Sequence, residues 1–296
     1  MRVQTMFSMF KIDSLVEVED RRVELRAARR STQLYALALA VMGASPAFAQ
    51  QPIRLSTTTS TDNSGLLGHL LPAFESKYNT KVHVIAVGSG KALELAKNGD
   101  VDVALIHARA AEDQFVADGH SLARQDVMYN DFVVVCPTSD PARIGGGKDV
   151  IAAFRTIAAS NTRFISRGDK SGTEIMELSY WQAAGVKPSA PRYVSAGLGM
   201  GEVLNMAAEM EACTLSDRAT FATYRARTGL AITVQGDARM YNPYGIMAVN
   251  PARHPGINAA GARQLIDWIV SSEGQARIAS FRIGGQQLFF PAAKAR

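Results

Sequence analysis

The sequence predicts an α/β fold of mostly parallel strands arranged in two lobes, and three observations support this. Short apolar runs alternate with helix-period patterns along most of the chain, the order expected of strands connected by helices. At 296 residues and 47% hydrophobic content there is apolar material for two cores, at about 150 residues per domain. No repeat, low-complexity stretch or Gly/Ser/Pro-rich linker separates two halves. The lobes are therefore expected to be joined by strands that cross between them.

The chain opens on an address. Arg26, Arg29 and Arg30 precede the apolar run Leu34–Met42, and Gly43-Ala44-Ser45-Pro46-Ala47-Phe48-Ala49 ends in a small-x-small site. That order marks a secretory signal cleaved before Gln50, and the run is too short for a permanent span. Residues 1–22 are mixed in charge, unlike an n-region, which places the start of translation further in, near Val23. Arg29-Arg30 is a twin arginine, but Ser31-Thr32-Gln33 follows without an apolar consensus, which favours the general secretory route. The mature chain is expected in the periplasm.

Ile53–Thr57 reads as the first strand. Leu66, Leu67, Leu70, Leu71 and Phe74 then form an i, i+4 stripe, a helix that Pro72 should kink. Lys81–Val87 is a second strand, Gly90–Lys97 a helix and Val101–His107 a third strand. Asp131–Pro137 contains Phe-Val-Val-Val-Cys, the most strand-like stretch of all. Arg163–Ser166 is a strand and Gly172–Ala184 a helix packing Ile175, Met176 and Trp181. Gly199–Glu211 and Ser216–Arg227 read as helices. Ile246–Val249 is a strand after the turn residues Asn242 and Pro243. Two helices close the chain, the second opened by a capping box at Ser272-x-x-Gln275. With Asp131–Pro137 and Tyr244–Val249 as crossing strands, residues 50–136 and 244–296 form one lobe and 137–243 the other.

Composition excludes several classes. Low hydrophobicity with high net charge, the signature of disorder, is absent. Residues 1–49 hold seven Lys/Arg and five Asp/Glu, so the remainder carries 25 against 22, too even a balance to argue for nucleic acid. Two cysteines exclude a disulfide scaffold and a Cys-rich zinc module. For Cys136 and Cys213, on separate elements, free buried thiols are the default, with a disulfide open to them in an oxidising compartment.

Four segments share one grammar: a strand or loop end, small hydroxylic residues and glycine, then a helix. They are Ser56-Thr57-Thr58-Thr59-Ser60-Thr61, Gly88-Ser89-Gly90, Ser166 through Thr173, and Thr214-Leu215-Ser216. Helix N-termini carry unpaired N–H groups and partial positive charge, and hydroxyls add neutral donors. Each alone is an ordinary cap. Converging, they make a pocket of neutral donors around one fixed cation, Arg167. That suits a small, fully ionised oxoanion.

Further blocks stand among these loops in a familiar order. They include Val87-Gly88-Ser89-Gly90, Gly99-Asp100-Val101-Asp102-Val103, Val127-Met128-Tyr129-Asn130-Asp131-Phe132, Gly197-x-Gly199-Met200-Gly201 and Thr214-Leu215-Ser216-Asp217-Arg218. Together with Thr57-Thr58-Thr59-Ser60 and Ser166-Arg167-Gly168-Asp169-x-Ser171-Gly172-Thr173 they resemble the tungstate-binding component of tungstate ABC transporters, type II solute-binding proteins. The resemblance spans nearly all of residues 52–291. It implies two α/β lobes with tungstate or molybdate in the cleft, a membrane permease as partner, no cofactor, a monomer and no catalysis. By this resemblance Thr58, Arg167 and Thr173 match oxoanion ligands, and Ser89, Ser171 and Thr214 sit in matching motifs. Cys213 stands where an aromatic residue is expected, and Ser89 keeps a hydroxyl where threonine is frequent.

Competing motifs are weaker. Gly145-Gly146-Gly147-Lys148 lacks the Ser/Thr of a phosphate loop, since Asp149 follows. Gly197, Gly199 and Gly201 lack dinucleotide-fingerprint spacing. Arg167-Gly168-Asp169 is also an adhesion tripeptide, but the ligand-loop reading explains more flanking residues. Five scattered histidines, His107 among them, show no zinc spacing. Asp100 and Asp102 should cap and solvate the start of a strand. No Gly-x-Ser-x-Gly elbow exists. Two rivals remain: an exported enzyme in which Arg167 clamps a phosphate or carboxylate, and a ligand sensor for a membrane kinase. The first needs a general acid or base, and no histidine lies in the four loops.

Overall fold

A computed structural model describes residues 51–293. The expected signal segment lies outside the described residues. Within them, no helix is long and apolar enough to cross a membrane.

The first half builds three parallel strands. β1 (Ile53–Thr58) leads through the short α1 (Thr59–Asn63) and α2 (Leu66–Tyr78) to β2 (Val82–Val87). α3 (Ser89–Asn98) then returns to β3 (Val103–Ile106), followed by α4 (Arg109–Ala117). β2 and β3 flank β1 in parallel register. All five apolar residues expected on α2 are buried, and the helix runs unbroken through Pro72. Pro72 and Gly68, whose carbonyl loses its partner there, are both exposed, so water can replace the missing bond.

β4 (Gln125–Pro137) is longer than the expected strand and changes partners midway. Residues Gln125–Asp131 pair with β9 (Tyr241–Ala248), which also pairs β3. Residues Phe132–Pro137 pair instead with β7 (Thr214–Asp217) and β8 (Leu230–Val234). Between them lie α5 (Val150–Ala159), β5 (Phe164–Ser166), α6 (Gly172–Ala184), β6 (Tyr193–Ser195), α7 (Met200–Glu209) and, after β7, α8 (Arg218–Thr228). β6 pairs β5 in parallel, and on the other side Cys213, just before β7, bridges Phe164 in parallel. The chain ends in α9 (Ala259–Val270), α10 (Ser272–Ser280), a β10–β11 hairpin (Arg282–Ile283, Gln286–Gln287) and β12 (Phe290–Pro291), which edges β4.

Each sheet has two apolar faces. One sheet lies between a layer from α2, α9 and α10 and another around Ala92, Phe115 and Met247. The other lies between the Phe154–Phe164–Trp181 cluster and the layer of Met200, Leu204 and Phe221. The continuous apolar run Val133-Val134-Val135 is covered on both faces, although β4 pairs antiparallel with β7 and β8.

Several expectations need correction. Asn242 and Pro243 are strand residues of β9, not a turn. Residues 214–217 are strand, because pairing with β4 outweighs their helical pattern, and α8 starts at Arg218 with Asp217 as its cap. Ser271, not Ser272, caps α10. On α6 Ile175 is exposed, while Glu177, Tyr180 and Trp181 are buried; counting apolar residues alone missed the polar member of that stripe. Asp102 is fully buried and forms a two-point ion pair with Arg54. Cys136 and Cys213 form a disulfide, not free thiols. The β4/β7 register pairs Val135 with Thr214, so the next pair outward is Cys136 and Cys213, 4.1 Å apart at Cα. α4, α5, β6 and β8 arise where no element was expected.

Candidate functional site

Open α/β sheets gather their ligand groups at the carboxyl ends of parallel strands. Here those ends carry Thr58 as the last residue of β1, Gly88-Ser89 after β2, His107 after β3 and Arg167 after β5. Thr58 caps α1: its Oγ1 accepts from Thr61 N at 3.1 Å and lies 2.7 Å from Thr61 Oγ1. Ser171 caps α6, accepting from Glu174 N at 3.3 Å.

The loops meet across the sheets. Arg167 Nη1 donates to Ser60 Oγ at 2.8 Å and Nη2 to Thr59 Oγ1 at 3.1 Å, and Nη2 also pairs with Asp169. Gly172 N donates to Ser89 Oγ at 3.2 Å, bringing the N-termini of α3 and α6 together. A Cβ on Gly172 would stand 2.9 Å from the carbonyl oxygen of His107, so only glycine permits this approach. Gly168 has φ +64° and likewise no room for a side chain. Thr220 Oγ1 donates to the carbonyl of Ser60 at 3.0 Å, adding α8 to the cluster.

Burial is nearly complete. Thr58, Ser89, Ser171 and Thr173 are each 1% exposed and Arg167 is 2%. Two donors in this set have no partner: Arg167 Nε and Thr173 Oγ1. An unmet buried donor costs about 1–3 kcal/mol, so these two, one of them on the buried cation itself, are open to acceptor oxygens.

Thr214 stands apart. It begins β7, and its hydroxyl donates to the Ile165 carbonyl at 2.7 Å. The residue this motif brings toward Arg167 is Asp217, at the other end of the strand.

His107 is the member that sequence reasoning set aside. It is 4% exposed, with Nε2 3.2 Å from Thr58 Oγ1 and Nδ1 3.0 Å from Asn242 Oδ1. Burial takes its imidazole down to about 4, and the Arg167 charge pushes the same way. It is therefore neutral near pH 7. Lone histidines carry no spacing signal, and only the strand end it terminates could have drawn notice. Ser60, also missed as a partner of Arg167, lay within the quoted hydroxyl run.

Comparisons with known proteins agree with this geometry. The family model described as a PBP superfamily domain matches residues 44–273. The tungstate-binding protein TupA of Peptoclostridium acidaminophilum is 45% identical over 249 residues, 83% of this chain and 87% of that protein. The crystal structure of the tungstate ABC transporter from Geobacter sulfurreducens is 51% identical, covers 78% of this chain and 99% of its own, and superposes with TM-score 0.73. The TupA structure from Desulfovibrio alaskensis G20 is 41% identical, covers 82% and 100%, and gives TM-score 0.69. From the paired sheets, the joined strand ends and these likenesses, the chain belongs to the PBP superfamily, in its two-lobed α/β form.

Proposed function

We propose that this protein captures tungstate, with molybdate as the alternative cargo, outside the cytoplasm and delivers it to the permease of an ABC importer. The observation that carries this reading is the unpartnered pair Arg167 Nε and Thr173 Oγ1, buried among hydroxyls at converging strand ends. Thr58, Ser89 and Ser171 complete the ligand set; Thr214 is left out because its hydroxyl serves β5. The relatives' names supply the anion, since both the protein and the structures above are described as tungstate proteins.

One lobe runs over residues 51–131 and 241–293 and the other over 132–240. These bounds move the expected crossings to the points where β4 and the chain after Met240 change sheet. Both halves of the site come from one chain, so a monomer suffices. Each charge-assisted hydrogen bond contributes roughly 1.5–3 kcal/mol. Six or seven bonds around a dianion reach about −12 kcal/mol after association costs, which is nanomolar affinity. Sulfate is too small to reach every donor at once. Catalysis is not part of this reading: His107, the histidine at Thr58, is engaged on both ring nitrogens, and Asp169 pairs with Arg167.

The test is a calorimetric titration of the exported protein, whose mass also reports whether residues 1–49 are removed. Tungstate and molybdate should bind at nanomolar to low micromolar concentration, with sulfate and phosphate at least 100-fold weaker. Equal affinity for sulfate or phosphate would defeat the large-oxoanion assignment. No binding of any of the four would defeat the receptor reading.

A further inference from the structure

Five buried side chains form one line through the molecule. Asn130 Nδ2 donates to Asp217 Oδ1 at 3.4 Å, and Asn242 Nδ2 to Asn130 Oδ1 at 2.7 Å. His107 Nδ1 meets Asn242 Oδ1 at 3.0 Å, and His107 Nε2 meets Thr58 Oγ1 at 3.2 Å. The line runs from the end of β7 across the middle of β4 and the start of β9 to the ends of β3 and β1, with no member more than 4% exposed.

Its polarity is set at one end. An ionised carboxylate only accepts, so Asn130 must turn its NH₂ toward Asp217 and its oxygen toward Asn242. Asn242 then turns its oxygen toward His107, which carries its proton on Nδ1. Nε2 is left as an acceptor, and the hydroxyl able to serve it is Thr58. With Asp217 ionised, the Thr58 proton therefore points at the imidazole and away from any anion. If Asp217 is protonated, every link can reverse: its O–H donates to Asn130 Oδ1, both amides turn over, and the imidazole proton sits on Nε2. Thr58 Oγ1 then accepts from His107, and its own proton is released from the ring, able to turn to an anion or to Thr61 Oγ1, 2.7 Å away.

We propose that Asp217 and His107 are positioning residues of the anion site, the two ends of a hydrogen-bond line that aims the Thr58 proton, so that anion capture takes up a proton from solvent. This deepens the oxoanion reading above and rests on it. The proton taken up resides on Asp217, and the imidazole stays neutral throughout, exchanging only its tautomer.

The charges around Asp217 support the coupling. Burial pushes its carboxyl above the usual range, opposed by the Thr220 N–H and the Arg167 charge. A bound dianion offsets Arg167 and so removes the field that keeps Asp217 ionised. The other groups near it are accounted for. Tyr244 on β9 is a neutral phenol that burial pushes well above its ordinary range. Asp131 on β4 and Arg218 on α8 pair with each other. Glu177 on α6 is held by Trp181 and Tyr193, and Glu202 on α7 lies over Gly199.

The experiment is calorimetry with tungstate at pH 7.5 in buffers of different ionisation enthalpy, on the wild type, Asp217→Asn and His107→Phe. The wild type should take up a measurable fraction of a proton, and its affinity should tighten as pH falls, by up to about tenfold per unit. Both variants should lose that uptake; a merely structural role would weaken binding without changing the proton count. Tight binding by the wild type with zero uptake overturns the proposal, as does uptake that persists in a variant that binds. If the wild type binds no tungstate, the oxoanion reading itself falls, and this coupling with it.

Discussion

Arg167 shows how much one residue can be asked to do. It is a cation almost without exposure, holding two hydroxyls and Asp169 and keeping Nε in reserve. Removing it leaves an arriving dianion without a counter-charge in a desolvated place. Arg167→Ala should weaken tungstate binding by about 3 kcal/mol or more, while the fold persists because its bonds reach loops and not a core. Arg167→Lys should recover only part, since a point charge cannot reproduce the planar fork. Calorimetry on folded variants decides this, and unchanged affinity would remove Arg167 from the site. Arg167 stood out in the sequence as a candidate because its loop is rich in glycine and hydroxyls. His107 did not, because its neighbours Thr58 and Asn242 lie 49 and 135 residues away.

At the scale of elements, β4 matters most. Its first half belongs to one sheet and its second to the other. The disulfide closes the second half against β7, joining residues 77 apart in sequence. A bridge over so long a loop contributes about 2–5 kcal/mol, chiefly by restricting the unfolded chain. Cys136→Ser with Cys213→Ser should therefore lower stability by that order in denaturant titrations. Tungstate affinity should survive, because neither sulfur touches the anion loops. A double variant as stable as the wild type would show that β4 and β7 need no tie. The strand itself was legible from its run of valines, but its early start at Gln125 was not, since that stretch carries Gln125, Asp126 and Asn130 among its apolar residues. The partner β9 supplies the missing bonds.

The whole molecule has a balance of buried titrations that no single loop reveals. Burial raises the Glu177 carboxyl from 4.5 to about 7, against hydrogen bonds from Tyr193 and Trp181. A raised carboxyl helps stability fully below its unfolded value, and the help is lost as pH rises through about 7. Burial lowers His107 from 6.5 to about 4, so its contribution is present above 6.5 and lost as pH falls through about 4. Each amounts to about 3 kcal/mol at the far side of its window. Between roughly pH 4.5 and 6.5 they nearly cancel. Glu177→Gln keeps an oxygen for Trp181 and Tyr193 and removes one side of the balance. It should raise stability at pH 8 by up to about 3 kcal/mol, and unlike the wild type it should lose stability as pH falls from 6.5 to 4.5. Denaturant midpoints across that range test it; a variant no more stable at pH 8 would mean that Glu177 is not raised. On the proposed function, burial of the site predicts that an anion enters only when the lobes part, so that capture and closure should be one event.

The sequence by itself determined the α/β class, the parallel strands of the first half and the hydroxyl-rich loops before helices. These are local: periodicity, caps and turn residues act within a few positions. The tertiary structure decided which loops meet. It drew Ser60 and His107 in and left Thr214 to β5. It made a strand of residues 214–217, and it set Cys136 opposite Cys213. Those outcomes depend on register between strands far apart in the chain, and a shift of one residue would turn every side chain to the other face.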